Sequence, residues 1–192
     1  ATAFGSITGL GDLALIKTIT ASSSASISFV DGASSVVLDN TYKEYIFTFN
    51  NIHPATDEAH FTVGFRDGGT DYDAVKTTTY ILSYHAEDDS EATVGYNAAS
   101  DLAQSSGFQR ILHGVGNGND ESASGYLHLF EPASTTFVKH FIAGGSSYNA
   151  GSYEYTTYVA GYNNVTAAID GVQFKMSSGN IDAGTISLYG VN

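Results

Sequence analysis

The sequence contains no cysteine, no tryptophan, one methionine and two prolines among its 192 residues. The absence of cysteine excludes a disulfide-stapled scaffold, a thiolate metal site and a cysteine nucleophile. It does not fix the compartment in which the protein works, because extracellular assemblies can also lack disulfides.

Basic residues are also scarce. Only 7 residues are lysine or arginine, against 20 aspartates and glutamates, so the formal net charge is −13. Such a surface repels phosphate backbones and disfavours anionic membranes. No stretch approaches the roughly 18 consecutive apolar residues of a membrane-spanning helix. We therefore expect neither nucleic acid nor membrane as a partner.

The sequence is rich in short segments in which apolar and polar residues alternate. In residues 41–50, Tyr45, Phe47 and Phe49 alternate with Glu44 and Thr48, which is typical of a strand with one buried face. Turns rich in Gly, Asn, Asp and Ser separate such segments. Predicted strands cover residues 13–20, 24–30, 41–50, 58–66, 77–85, 107–115, 123–130, 136–143 and 153–162, with a pair of strands in 171–192. Residues 102–104 are predicted to form at most a short helical turn.

This spacing predicts an all-β fold, and specifically an antiparallel two-sheet jelly-roll-like β-sandwich, with a closed barrel as the alternative. The last stretch is interpreted as a hairpin that closes the sandwich. Val172 and Phe174 alternate with polar residues on its first strand, Ile186 and Leu188 do so on its second, and residues 177–180 form the turn.

Residues 1–12 are predicted to be an extended N-terminal arm, and residues 13–192 a single β-sandwich domain. The arm is rich in glycine but carries Phe4, Ile7 and Leu10. A loose tail is one interpretation. The other is that these apolar residues anchor the arm on a neighbouring subunit, because a solvated tail does not normally carry them.

Asp67, Asp71 and Asp73 alternate with other residues in a glycine-containing loop, and this spacing is suited to a hard cation such as calcium. The loop lacks the complete calcium-loop pattern and its terminal glutamate, so these residues are weak metal candidates. We expect no metal and no cofactor.

Six histidines are scattered along the chain without a zinc-protease motif. His128 and His140 lie on two strands of one predicted hairpin. If Phe130 pairs with Val138, the two imidazoles sit opposite each other and form either a pH-sensitive pair or part of an interface.

Tyr153, Tyr155 and Tyr158 lie close together on one predicted strand. They suit stacking on sugars in a concave sheet, or contact with another subunit. The lack of tryptophan favours the subunit contact. Tyr153 and Tyr155 are the candidate partner-binding residues of the domain.

Several stretches together resemble a group of small virion structural proteins of tailed bacteriophages, of the marine phage type. The stretches are residues 21–29, 42–45 with 51–56, 127–132 with 134–136, and 174–181 with 184–190. Their order covers most of the chain from residue 13 onward. These stretches are turns and strand patterns, without a catalytic signature.

The resemblance implies a non-enzymatic β-sandwich subunit on the virion. The first hypothesis is a head decoration or cement protein on the outer head surface, with the major capsid protein and copies of itself, as a homotrimer, for partners. The alternative is a tail-fibre or receptor-binding module that recognises host surface glycans. An enzyme acting on glycans, supported only by the acidic loops, ranks last.

Overall fold

The computed structural model describes residues 13–192, and this range folds into twelve β-strands without a helix. The strands are β1 (Leu13–Thr20), β2 (Ile27–Val30), β3 (Glu44–Pro54), β4 (Ala59–Arg66), β5 (Lys76–Ala86), β6 (Ala92–Tyr96), β7 (Gln109–Val115), β8 (Ala123–Phe130), β9 (Lys139–Asn149), β10 (Tyr153–Asn163), β11 (Gly171–Met176) and β12 (Ile181–Val191). Residues 1–12, including Phe4, Ile7 and Leu10, lie outside the described range, so the anchored arm stays a prediction.

The strands form two antiparallel sheets that face each other as a β-sandwich. The larger sheet has eight strands in the order β1-β12-β3-β8-β9-β10-β5-β6, and the smaller has four in the order β2-β11-β4-β7. The predicted all-β sandwich is thus confirmed. Among residues 13–192 no helix is long and apolar enough to cross a membrane.

Aromatic side chains fill the space between the sheets. Phe174 of β11 lies at the centre, with ring centroids 5.3 Å from Phe47, 5.1 Å from Phe49 and 5.6 Å from Phe61. All four side chains are buried. The alternation in the sequence therefore identified the core-facing residues of β3 and β11 correctly, because each of these strands has one face in the sandwich.

The closing hairpin is a wrong prediction. β11 pairs with β2 and β4 in the small sheet, whereas β12 pairs with β1 and β3 in the large sheet. The turn between them carries the chain from one sheet to the other, and Asn180 O accepts a hydrogen bond from Ala55 N at 2.9 Å. Two consecutive strands with one buried face each can pair in one sheet, or they can lie in opposite sheets on either side of the core. Both arrangements give the same alternation, so the sequence pattern could not distinguish them.

Two smaller features also differ from expectation. β6 was not predicted, because its residues Ala92–Tyr96 are all exposed and show no buried face. Residues 102–104 do not form a helical turn. Leu102 instead exchanges hydrogen bonds with Thr78 of β5, through N to Oγ1 at 2.9 Å and through O to the Thr78 amide at 2.9 Å.

Eight of the strands pair in a nested order. Taken along the chain as β1, β2, β3, β4, β7, β8, β11 and β12, the first pairs with the last, the second with the seventh, the third with the sixth and the fourth with the fifth. The other four, β5, β6, β9 and β10, extend the large sheet beyond β8. Since the small sheet ends at β7, the edge strand β6 extends past it, whereas β5 still contacts β7 through Thr78 Oγ1, which donates to Gln109 Oε1 at 2.6 Å.

Candidate functional site

The two faces of the eight-stranded sheet differ in character. The inner face packs on the small sheet: in β10, Thr157 is buried and its Oγ1 donates to Ile111 O of β7 at 2.7 Å. Tyr158, the next residue, points to the opposite, outer face and is exposed. Both faces carry aromatic residues where the large sheet extends beyond β8.

Three tyrosines gather on the inner face near the edge of the small sheet. The rings of Tyr153 and Tyr155 are nearly parallel, 6.0 Å apart at 25°, and Tyr84 of β5 meets them edge-on at 5.7 and 5.6 Å. We call Tyr84, Tyr153 and Tyr155 the tyrosine cluster. Each is partly exposed, because no strand of the small sheet lies beyond β7 to cover them.

A glutamate from the β5–β6 turn holds the polar ends of this cluster. Tyr84 Oη donates to Glu91 Oε1 at 2.6 Å, and Tyr153 Oη donates to Glu91 Oε2 at 3.4 Å. The hydrogen bond from Tyr84 to this carboxylate is the main reason why its phenol pKa is raised. Tyr84 and Tyr153 are thereby fixed in orientation, with their hydroxyls at Glu91 and their apolar rings directed away from it.

A pair of histidines borders the cluster on the β7 side. The His113 ring lies 4.9 Å from Tyr155 and 4.8 Å from His60. His60 Nδ1 accepts a hydrogen bond from the amide of Gly114 at 2.9 Å. Burial, aided by the charge of Arg110, lowers the pKa of His60 to about 4, and burial also lowers the pKa of His113. At neutral pH His60 is therefore a neutral acceptor that holds β7 to β4.

The outer face carries a row of exposed apolar residues across the sheet. Tyr96, Ile81 and Tyr158 are successive cross-strand neighbours, and Gly144 separates Tyr158 from Tyr126. Each of the four large side chains is at least 38 % exposed. We call Tyr96, Ile81, Tyr158 and Tyr126 the outer row. Adjacent strands lie about 4.8 Å apart, so the row spans roughly 19 Å.

The outer face around this row is almost free of charge. Among the outward positions of β5, β6, β8, β9 and β10, Glu154 is the only Asp, Glu, Lys or Arg. A shallow groove of about 490 Å³ continues the face, and its lining includes Phe130, Ile142 and Tyr162. Charge depletion with tyrosine enrichment is typical of the centre of a protein–protein contact.

The three aspartates predicted as metal candidates are not brought together as ligands. Among residues 13–192 no group of three or more His, Cys, Asp or Glu side chains is arranged to hold a metal ion. Asp71 and Asp73 line a shallow groove beside Tyr72 and Phe108. Asp67 instead acts through its charge on buried lysines of the large sheet.

The predicted pairing of the β8–β9 hairpin is wrong by two residues. His128 lies opposite Ile142 rather than His140, because the loop that follows Phe130 continues to Val138. His128 Nδ1 pairs with Glu44 Oε1 on β3 at 2.7 Å. The His140 ring is 6.0 Å from that of Tyr162. The expected cross-strand histidine pair therefore does not form.

The structure brings together Tyr153 and Tyr155, the two predicted partner-binding residues, but Tyr158 faces the opposite side of the sheet. Its sequence position differs from theirs by an odd number, which a strand period of two already implies. The partners that complete the cluster, Tyr84 and Glu91, come from a segment about 60 residues earlier in the chain, and no local pattern marked them.

Comparison with protein-family models, with curated proteins and with solved structures finds no match to this chain. The fold and its two aromatic faces thus define an all-β sandwich with two candidate contact surfaces.

Proposed function

We propose that this chain is a non-enzymatic structural protein of a tailed-bacteriophage virion, specifically a head decoration or cement protein. In this role it binds the outer surface of the capsid lattice through its outer row and stabilises the lattice. The major capsid protein is its principal partner. The sequence resemblance is the reason for assigning the chain to a virion, and the outer face of the large sheet is the proposed contact surface.

The single observation that carries the proposal is an aromatic face with very few charged residues on a chain of net charge −13. On a strongly acidic protein, a wide face with Glu154 as its only Asp, Glu, Lys or Arg across five strands requires an explanation. Desolvating such a face costs little, whereas burying unpaired carboxylates costs a great deal. The face is therefore suited to contact with another protein.

The scaffold also supports this role. We infer that the nested pairing of eight strands is a jelly roll, since a long antiparallel ribbon that is rolled up pairs its first strand with its last. Jelly rolls with two packed sheets are used in viral capsid domains and in lectins. The fold is compatible with either role and does not choose between them.

The test is to bind the purified chain to capsids that lack it. Replacing both Ile81 and Tyr158 by serine should weaken binding by roughly tenfold or more, because central aromatic anchors dominate such contacts. Phe137→Ser is the matched control, since Phe137 is the most exposed phenylalanine in residues 13–192 but lies in the β8–β9 loop. It should bind as the unchanged protein does.

Copy number decides between head and tail. Many copies per particle, spread over the head, support decoration, whereas a few copies confined to the tail would exclude it. Equal binding by the double variant and by Phe137→Ser would remove the outer row from the proposal. The proposed homotrimer is checked separately, by the molar mass of the full chain in solution.

The second candidate function is recognition of host surface glycans, and the tyrosine cluster is the observation that favours it. Near-parallel rings offer apolar faces to a sugar, and the Glu91 carboxylate beside them accepts hydrogen bonds from hydroxyls. Titration of host polysaccharide should show binding that Tyr155→Ala abolishes. Tyr158→Ala, on the opposite face of the same strand, is the control and should retain it. No binding by the unchanged chain would rule this function out.

A further inference from the structure

A row of three polar side chains lies buried inside the sandwich, apart from both contact surfaces. Asn163, at the end of β10, is the cross-strand partner of Lys76 on β5 and of Lys139 on β9. All three residues have no exposed surface. Directly paired residues point to the same face, so Asn163 lies between two lysine side chains.

The hydrogen bonds of this row are incomplete. Lys76 Nζ donates to Gly107 O at 2.9 Å, and Lys139 Nζ donates to Val165 O at 2.9 Å and to Phe137 O at 3.2 Å. The side-chain nitrogen and oxygen of Asn163 have no hydrogen-bond partner among the protein atoms of residues 13–192. A buried amide without partners is costly, and such groups require an explanation.

Both lysines are also without a carboxylate in direct contact. Within the described part of the chain neither takes part in an ion pair shorter than 4.0 Å. Burial lowers the pKa of Lys76 to about 8, against the opposing charges of Asp73 and Asp67, and burial lowers that of Lys139. A Lys76 amine that loses its proton readily is a nucleophile, and Asn163 is the residue directly opposite it on the neighbouring strand.

We propose that Lys76 and Asn163 join in an intramolecular isopeptide bond. The lone pair of the neutral Lys76 Nζ attacks Cγ of Asn163, and a proton moves from the attacking nitrogen to the departing amide nitrogen. The Cγ–Nδ2 bond breaks and one molecule of ammonia leaves. No oxidant or reductant is needed.

Lys76 is the better nucleophile of the two lysines. It donates to one carbonyl, whereas Lys139 donates to two and stays an ammonium ion more readily. After the reaction the new amide N–H still has Gly107 O as its acceptor. The bond would also remove the unpartnered Nδ2 of Asn163. It joins residues 87 positions apart in sequence and fastens β5 to β10 at one end of the large sheet.

The test is the intact mass of the purified full-length chain. We expect a mass lower than the sequence mass by one ammonia, and a digest that contains a branched peptide joining the segments around Lys76 and Asn163. Lys76→Met and Asn163→Ala should each have the full mass calculated from the substituted sequence, without the loss of ammonia. Lys139→Met should keep the deficit. A full mass in the unchanged chain, or a deficit that depends on Lys139 alone, would overturn the assignment.

One other reaction loses ammonia, and the experiment must separate it. Asn117 precedes Gly118 in an exposed loop, where a succinimide would give the same mass change. Asn117→Ser should therefore leave the deficit intact, and hydroxylamine, which opens succinimides, should not remove it. A deficit that disappears in Asn117→Ser, or that survives in Asn163→Ala, would overturn the proposal. The mass result is independent of virion binding, so it can fail while the proposed function stands.

Discussion

At the scale of single residues, Phe174 is the side chain on which the core depends most. Its ring contacts Phe29, Phe47, Phe49 and Phe61, which come from three other strands of both sheets. Phe174→Ala should lower the free energy of unfolding by about 3–5 kcal/mol, because it leaves a large cavity between the sheets. Urea denaturation measures this loss.

The control for Phe174 is Phe137→Ala. Phe137 is 73 % exposed and lies in a loop, so its removal should change stability by no more than about 0.5 kcal/mol. Similar losses for the two variants would show that the aromatic cluster is not the centre of the core.

His60 makes stability depend on pH. Its pKa is about 4 in the folded chain against 6.5 for a free histidine side chain. Between these pH values the unfolded chain therefore binds a proton at this residue and the folded chain does not. Stability from this group is complete above about pH 6.5 and is lost as the pH falls toward 4. When the pH falls from about 7 to about 5, the free energy of unfolding should decrease by roughly 1 kcal/mol less in His60→Gln than in the unchanged chain, allowing for partial solvent screening.

Urea titrations of both proteins at the two pH values give this difference. His140→Gln is the control for the substitution itself, because His140 is an exposed histidine of the large sheet. If the stability of His60→Gln depended on pH as strongly as that of the unchanged chain, the effect would come from other groups, such as the neighbouring His113.

At the scale of strands, close approach between the sheets depends on Gly145 of β9. A Cβ there would lie 2.5 Å from Ser124 O and 2.6 Å from Leu112 Cδ2, a side chain of the small sheet. Gly145→Ala should therefore destabilise the chain by about 1–3 kcal/mol through overpacking. Thermal and urea unfolding would both register it.

Gly95 of β6 provides the matched substitution. An added Cβ there meets nothing within 4 Å, so Gly95→Ala should be neutral or stabilising by about 0.5 kcal/mol. If both substitutions cost the same, the effect would come from strand propensity rather than from contact between the sheets.

The strands show how far the sequence can be interpreted. Eleven of the twelve strands were predicted, since a buried face leaves alternation in the sequence. β1 and β8 agree to the residue, whereas the prediction for β9 ended at residue 143, six residues before the strand does. β6 was missed because it has no buried face. Strand pairing was less predictable, and the predicted β11–β12 hairpin does not form. Alternation shows which residues of a strand are buried, but it does not show which strand pairs with it.

The candidate surfaces were also predictable only within single strands. Tyr153 and Tyr155 could be selected from one strand, but the ring of Tyr84 and the carboxylate of Glu91 reach them only through the β5–β10 pairing. The outer row likewise combines residues from four strands. Sites assembled across a sheet depend on strand order, which separate segments do not encode in any local pattern.

At the scale of the whole molecule, the four strands outside the nested set carry most of both contact surfaces. The tyrosine cluster lies on β5 and β10, and the outer row lies on β5, β6 and β10 with one residue on β8. The nested strands supply most of the aromatic core, to which Phe141 of β9 and Tyr80 of β5 also belong. Stability and recognition are thus placed largely on different strands, so substitutions on the outer row should leave the core intact and can be tested for binding alone.

The charge of the whole molecule gives the last prediction. Of the 7 basic residues, Lys76 and Lys139 are fully buried, so the surface is more acidic than the net charge of −13 suggests. Like charges on a compact surface repel each other, and salt screens this repulsion. Raising NaCl from about 0.02 M to about 0.3 M near pH 7.5 should therefore raise the Tm by about 3 °C.

The same titration near pH 4.5 is the control, because the sequence pI is about 4.5 and little net repulsion is left to screen. There the Tm should stay nearly constant with salt. A rise of equal size at both pH values would indicate a general salting effect on apolar burial rather than charge repulsion. A fall near pH 7.5 would mean that attractive ion pairs such as Arg66–Asp170, at 2.8 Å, outweigh the repulsion among the remaining carboxylates.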